Sequence, residues 1–484
     1  MCATTVAKST TATFKRRQDD ADAFAFAFAG ATPTKRPPRR IPAHQQPLHP
    51  RERDAIIQAL RAGVTPRCGL PHIQVGRDGE IAAMREDIER IQDGGASIRF
   101  IIGEYGSGKS FFLQLTRAIA LESDLVTLHA DLTPDRRLCA TQGQARNLYA
   151  ELTHNMATRA KPEGNAMTSV VERFVAAVRK RADATDVPVA RLITAQLEHF
   201  SEHVGGYDFA SVIHAYWEAC ERGDEERKSN AVRWLRGEFT HRTDARNALG
   251  VRSIVDDDRM YDHLKLLGLF VRQAGYGGLL VCLDEMVNLY KLANGPARMA
   301  NYEQILRICN DCLQGSAAHI GFLMGGTPDF LFDPHKGLYS YEALHARLAE
   351  NTFARNAGVV DYTAPTLHLA SLSHADLLAL LHNIRHVYAA GKTSQRLLPD
   401  EALHAFLAHC ALCIGQEYFR TPRNTIKEFV NLLAVLAQNP ALHWSELLPQ
   451  VCVSPDRESG MSDALGDGTA QRATDDSGLV SFQL

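Results

Sequence analysis

The sequence lacks the features that mark disulfide-rich or membrane-spanning proteins. Its 484 residues include 10 cysteines, which are scattered and form no dense framework. Because a chain of this length does not need disulfides to fold, this pattern favours a reducing, cytoplasmic environment. No run of 18 apolar residues occurs, and the N-terminus lacks the layout of a signal peptide, so we expect no membrane span.

A strong charge of either sign is also missing. The 53 Lys and Arg residues nearly balance the 56 Asp and Glu residues, which gives a net charge of −3. Such a balance does not predict a nucleic-acid-binding surface, so any basic contact with DNA would be a local patch. The H-E-x-x-H and G-x-S-x-G patterns are absent, and hydrolase chemistry other than nucleotide cleavage has no support.

A glycine-rich loop between a β-rich run and an amphipathic helix matches the pattern G-x-x-x-x-G-K-[ST]. Its glycines allow backbone N–H groups to approach a phosphate, and the N-terminus of the next helix adds positive partial charge. We expect Lys109 to bridge the β- and γ-phosphates of ATP and Ser110 to hold Mg²⁺. The residues predicted to contact the nucleotide are Gly103, Glu104, Tyr105, Gly106, Ser107, Gly108, Lys109, Ser110 and Phe111.

Two later strands end in polar residues that suit the same chemistry. The apolar run 279–283 is followed by Asp284, which we expect to orient Mg²⁺, and by Glu285, which we expect to activate the attacking water. The run 320–324 leads through two glycines to Thr327, which would position the water or report on the γ-phosphate. A plain strand-to-loop turn explains Thr327 equally well.

Charge that develops on a transferred phosphoryl group also needs a cation. Arg347 and Arg355 follow the Thr327 strand, and either of them could act on the ATP of a neighbouring subunit. Arg423 begins a predicted helix in a Thr-Pro-Arg sequence and could point from a helical lid into the nucleotide. The alternative for each arginine is a surface ion pair. We therefore predict catalytic roles for Lys109, Glu285, Thr327, Arg347 and Arg423.

The alternation of strands and helices predicts an α/β fold with a parallel sheet and helices on both faces. We predict a P-loop ATPase core over residues 51–370, which includes a large helical insertion at about 135–260. A helical lid, or C-terminal helical domain, follows over 371–450. The segments 1–50 and 451–484 have compositions that cannot bury a core, so we predict disordered tails there.

The order of these motifs resembles the AAA+ superfamily, near its replication-initiator and loader branch. The segment Val75-Gly76-Arg77, followed by Glu80, resembles the adenine-side segment of that branch, which implies that Val75 and Arg77 wrap the base. More narrowly, the chain is similar to the ATP-binding proteins of bacterial BREX phage-defence systems, of the BrxD type and related to BrxC. The most specific likeness lies around Trp234 and over residues 321–356.

This resemblance implies an ATPase that couples ATP binding and hydrolysis to assembly on DNA or with a helicase in anti-phage defence. Its partners would be a helicase or other defence-system proteins, possible DNA contacts and further copies of itself. Two alternatives remain open: an ATP-dependent switch or adaptor with little turnover, and a DNA-binding ATPase like a replication initiator.

Two further patterns are weaker. Cys309 and Cys312, like Cys410 and Cys413, have a spacing that zinc sites use, but both pairs fall within helical patterns that favour packing. The arginines on either side of Trp234 could frame a ring that stacks on a nucleic-acid base, although a helix edge explains them better.

Overall fold

The computed structural model describes residues 48–390, 397–415 and 422–451. The predicted tails lie almost wholly outside these residues. Within them, five strands form one parallel sheet in the order β2-β3-β4-β1-β5, so the predicted α/β fold with a parallel sheet is confirmed. The strands are β1 (Ala96–Ile102), β2 (Val126–Asp131), β3 (Leu279–Asp284), β4 (Ile320–Gly326) and β5 (Thr366–His368).

Strand β1 lies inside the sheet and is buried along its whole length. Its nearly continuous apolar sequence is typical of a parallel strand that is covered on both faces. From β1 the chain builds one side of the sheet with β2, β3 and β4, and then returns to add β5 on the other side. Ligands of open parallel sheets bind where the strand order reverses, at the carboxyl ends of the strands. Here that point is the end of β1.

Two helices cover one face of the sheet: α2 (Asp78–Gln92) precedes β1, and α3 (Lys109–Glu122) follows it. They pack there because their apolar residues recur at helical spacing and form one stripe on each helix. The buried members of these stripes are Ile81, Met84, Ile88 and Ile91 on α2, and Phe112, Leu115 and Ile119 on α3.

Seven helices lie between β2 and β3, in the region predicted as an insertion. They are α4 (Gln144–His154), α5 (Met167–Thr185), α6 (Val189–Leu197), α7 (Gly206–Arg222), α8 (Glu225–Leu235), α9 (Arg242–Leu249) and α10 (Met260–Gln273). Their apolar side chains share one continuous core with the second face of the sheet. The insertion therefore covers the sheet and does not have a core of its own.

Trp234 belongs to this core. Its side chain is 1% exposed, and its indole N–H donates a hydrogen bond to the carbonyl oxygen of Ser253 at 2.8 Å. The hypothesis that Trp234 stacks on a nucleic-acid base is therefore wrong, because a buried ring has no free face. The ring instead packs edge-on against Phe209 and beside His263.

Shorter elements connect the remaining strands. After β3 come α11 (Val287–Tyr290) and α12 (Gly295–Leu313), and after β4 come α13 (Pro328–Phe332), α14 (Glu342–Leu348) and α15 (Thr352–Ala357). Single 3₁₀ turns occur at Leu70–His72, Glu198–Glu202, Leu338–Ser340 and Leu448–Gln450. Cys309 and Cys312 are buried where α12 packs on the sheet. Among the described helices, none has the length and hydropathy that crossing a bilayer requires.

The C-terminal helices α16 (His374–Tyr388), α17 (Asp400–Ile414), α18 (Pro422–Gln438) and α19 (Trp444–Leu447) form a second hydrophobic core. The first helix, α1 (Pro50–Arg61), packs in this core through Ile56 and Leu60. By its contacts α1 therefore belongs with the lid, although we placed residues 51–61 in the ATPase core from the sequence. The apolar stripe of α1 does not reveal which core it enters.

A buried ion pair joins α2 to β1 and to the segment before β5. The Arg99 guanidinium donates to both carboxylate oxygens of Asp87, at 2.6 and 3.1 Å, and both side chains are largely buried. Arg99 also donates to the carbonyl oxygens of Tyr362, at 2.8 Å, and Ala364. This one side chain therefore fixes the approach of β5 to β1.

Replacement of Asp87 by alanine should destabilise the fold, because the Arg99 charge would stay buried without its partner. We expect Asp87→Ala to lower the free energy of unfolding by about 3–5 kcal/mol, measured by urea denaturation. Arg90→Ala is the matched control, since the exposed Arg90 also contacts Asp87 and should contribute less than about 1 kcal/mol. Equal losses in the two variants would contradict this account.

Candidate nucleotide-binding site

A cavity of about 490 Å³ opens where the carboxyl edge of the sheet faces the C-terminal helices. Its volume is in the range of sites that enclose small molecules. Residues 104–111 line it, and Gly103 directly precedes them in the chain. The structure also brings Val75, Arg77, Asp284, Glu285, Thr327 and Arg423 to this cavity.

The loop backbone has the shape that an anion site requires. Gly106 and Gly108 have φ angles of 83° and 87°, in the left-handed region that favours glycine. A methyl group at position 103 would lie 2.4 Å from Ser107 Oγ and 3.0 Å from the Leu369 carbonyl oxygen, so this close approach also requires glycine. Helix α3 starts directly after Gly108 without a side-chain cap, which leaves its first N–H groups directed at the cavity end of the helix.

Lys109 and Ser110 connect the loop to its surroundings. The Lys109 ammonium donates to the carbonyl oxygens of Gly103 and Glu104, at 2.8 and 2.9 Å. Burial lowers the pKa of Lys109, and the carboxylates of Asp284, Glu285 and Glu104 oppose that change. The Ser110 hydroxyl donates to Asp284 Oδ2 at 2.6 Å and so joins the start of α3 to the end of β3.

Asp284 is held on its other oxygen as well. Its Oδ1 accepts a hydrogen bond from the Glu285 N–H at 2.8 Å. A methyl group at position 325 would lie only 2.5 Å from this Oδ1, so the carboxylate fits because β4 has no side chain there. Oxygen atoms from a carboxylate and a hydroxyl are the donors that suit Mg²⁺.

Glu285 has an unusual backbone and an unusual environment. Its φ angle of 56° is rare for a residue other than glycine, and such conformations concentrate at functional sites. Burial raises the pKa of its carboxyl group, and the charges of Asp284 and Asp131 add to that effect, while Lys109 and Lys291 oppose it. A raised carboxyl pKa in a cleft is a physical mark of a general base.

Thr327 lies between Asp284 and the glycine-rich loop of residues 103–110, which we call the phosphate loop, because β4 is placed between β1 and β3. Its hydroxyl oxygen accepts a hydrogen bond from the Phe330 N–H at 3.4 Å and caps α13. A hydroxyl that accepts in this way still has its own proton to donate. Thr327 can therefore cap the helix and present a donor to the cavity.

The three predicted arginines have different surroundings. The guanidinium of Arg347 donates to Asn310 Oδ1 at 2.6 Å and to the Ala343 carbonyl oxygen at 2.7 Å, so it does not line the cavity of its own chain. Arg355 is exposed on α15, outside the cavity lining. Arg423 lines the cavity from the first turn of α18.

Arg77 braces the site. It directly precedes the first residue of α2, and its backbone is left-handed, with a φ angle of 66°. Its guanidinium donates to the carbonyl oxygens of Ser107, at 3.3 Å, and Ala370, and it lies 3.5 Å from Glu80. Arg77 therefore ties the phosphate loop to the segment before α16. It also lines the cavity, and the contact with the base that the resemblance implies stays a prediction.

Sequence reasoning missed the apolar end of the cavity. This wall comes from α1 and the loop after it, and from the lid helices. Its members are Leu60, Val64, Ile73, Leu372, Leu380 and Ile426. None of them follows a recognisable motif, and the only available signal was the apolar stripe of each helix. Lys291 and Tyr290, beside Glu285, were also missed.

A methyl group on strand β4 should displace the Asp284 carboxylate and weaken the binding of Mg·ATP. We expect Gly325→Ala to lower the affinity on the order of 10- to 100-fold, because a misplacement of about 1 Å can have an effect of that size. Isothermal titration calorimetry would measure the affinity. Gly321→Ala is the control on the same strand, where the added methyl would meet the apolar side chain of Ile91. An unchanged affinity in Gly325→Ala would contradict the packing argument.

Comparisons with known proteins agree with this geometry. The family model described as "BREX system ATP-binding protein BrxC/D" matches residues 48–451, which is most of the chain. A comparison with curated proteins finds no significant match. The matched range contains the phosphate loop, the acidic end of β3 and the C-terminal helices that close the cavity. The chain therefore belongs to the BrxC/D family of BREX system ATP-binding proteins.

Proposed function

We propose that this chain binds Mg·ATP and hydrolyses it to ADP and phosphate as an ATPase of the AAA+ type. The observation that carries the proposal is the 2.6 Å hydrogen bond between Ser110 and Asp284, with the Glu285 carboxyl group beside it. It supports a site in which Ser110 and Asp284 would be the two Mg²⁺ ligands and Glu285 would be the base, next to the N-terminus of α3. Mg²⁺ sites of this kind use one or two protein oxygens and complete their coordination with phosphates and water.

Each residue then has a distinct role in hydrolysis. The loop N–H groups and Lys109 hold the phosphates, and Ser110 and Asp284 would hold Mg²⁺, which neutralises phosphate charge. Glu285 accepts a proton from the water while the water oxygen attacks the γ-phosphorus. The bond between the γ-phosphorus and the ADP oxygen breaks in the same step. Thr327 donates a hydrogen bond to the water or to the γ-phosphate.

Two arginines supply positive charge in this proposal. Arg423 acts from the lid, in the same chain. Arg347 would act in a homo-oligomer, on the cavity of a neighbouring copy, because it does not line the cavity of its own chain. Charge supplied in this way stabilises the transition state.

We further propose that the nucleotide state controls assembly with a helicase, with other defence-system proteins or on DNA. Membership in the BREX family supports such partners. The contacts that join the phosphate loop to the C-terminal helices also support it, because they give the bound nucleotide a way to bias the position of the lid.

Glu285→Gln should abolish turnover and preserve ATP binding, because the amide cannot accept the proton from water. We expect the steady-state ATPase rate to fall on the order of 10²- to 10⁴-fold, which is the usual contribution of a general base. Glu86→Gln, the same change at an exposed site on α2, is the control. Lys109→Ala should instead lose ATP binding.

The same assay decides between an ATPase and a switch with little turnover. If wild type turns over no faster than Glu285→Gln, with and without DNA, the chain is a nucleotide-dependent adaptor. Assemblies of defined mass should be used, because a contribution from Arg347 would appear only in an oligomer.

A further inference from the structure

The side chain of Tyr105 is not accounted for by phosphate binding. The loop pattern leaves this position open, because backbone N–H groups and the lysine make the phosphate contacts. Tyr105 is nevertheless a large ring that lines the cavity and is 36% exposed. An exposed aromatic face at the entrance of an anion site can attract a cation.

Arg423 supplies that cation. The central carbon of its guanidinium lies 5.7 Å from the centre of the Tyr105 ring, within the range of a cation–π contact. The Arg423 stem passes close to Gly63, in the loop after α1. A methyl group at position 63 would lie 3.6 Å from Cγ and 3.7 Å from Cδ of Arg423. The Arg423 side chain thus extends past the loop after α1 to reach the phosphate loop.

No competing partner of Arg423 occurs in the described part of the chain. There, no carboxylate lies within ion-pair distance of its guanidinium, which lies over the Tyr105 ring. The guanidinium is therefore held by an aromatic face and keeps its N–H donors for other groups.

The contact between Arg423 and Tyr105 is a second connection to the phosphate loop, in addition to the hydrogen bonds of Arg77. Arg77 fixes the phosphate loop, through Ser107, to Ala370, where the chain enters the lid. Arg423 reaches the same loop from the first turn of α18, deep in the lid sequence. Arg77 therefore joins the phosphate loop to the segment before α16, and the pair Tyr105–Arg423 joins the same loop to α18 at the cavity.

We propose that Tyr105 is a positioning residue whose ring holds the Arg423 guanidinium at the phosphate loop and so keeps the lid closed over a bound nucleotide. The role rests on the proposed ATP site but does not require hydrolysis. It assigns a function to a loop side chain that phosphate binding leaves unused.

A double-mutant cycle on the full-length chain tests this role. The variants are Tyr105→Leu, Arg423→Met and the double variant, and the readout is the affinity for the slowly hydrolysed analogue ATPγS. We expect Tyr105→Leu to weaken binding by about threefold to tenfold in the wild-type background, as the loss of a cation–π contact predicts. In the Arg423→Met background the same change should have almost no effect.

Tyr105→Phe separates positioning from loop packing. The phenyl ring keeps a π face, so this variant should recover most of the affinity that Tyr105→Leu loses. The inference is overturned if the effects of Tyr105→Leu and Arg423→Met are additive, or if Tyr105→Phe binds as weakly as Tyr105→Leu. Because affinity is measured without turnover, either failure leaves the Glu285→Gln test of hydrolysis unaffected.

Discussion

The site depends on the distance between the end of β3 and the start of α3. The hydrogen bond from Ser110 to Asp284 spans this distance, and it can form only because Gly325 on the intervening strand has no side chain. The strand order therefore brings the motifs to one edge of the sheet and also sets their order along that edge. It places β4 between the phosphate loop and the acidic pair, so Thr327, the residue directly after β4, lines the cavity between them.

The elements nearest the motifs were predictable from the sequence because local rules govern them. A loop with the spacing of residues 103–110 must turn through left-handed glycines, and the apolar periods of α2 and α3 show which faces are buried. The paired carboxylates after a continuous apolar run likewise indicate the edge of a parallel sheet. These features depend on residues a few positions apart.

The features that sequence reasoning missed depend on contacts between distant positions. Arg77 bonds to Ala370, 293 residues away, and no local pattern indicates this bond. Helix α1 has an apolar stripe that would suit either core. For Trp234 the sequence favours a helix edge but leaves base stacking open, and only its burial beside Phe209 excludes the stacking. In each case the sequence shows the chemical character of the side chains but does not show which distant residues they contact.

The placement of α1 has a mechanical consequence. Since α1 packs with the C-terminal helices, the chain crosses from their core toward the core around α2 and α3 near Gly76 and crosses back near Ala370. The two cores are therefore joined by the backbone at both of these places, in addition to the side chains that meet at the cavity. Arg77 joins one crossing to the other by its bond to Ala370. A single side chain therefore fastens the start of α2 to the segment that leads into α16, and so holds together the two places where the sheet and the C-terminal helices are connected.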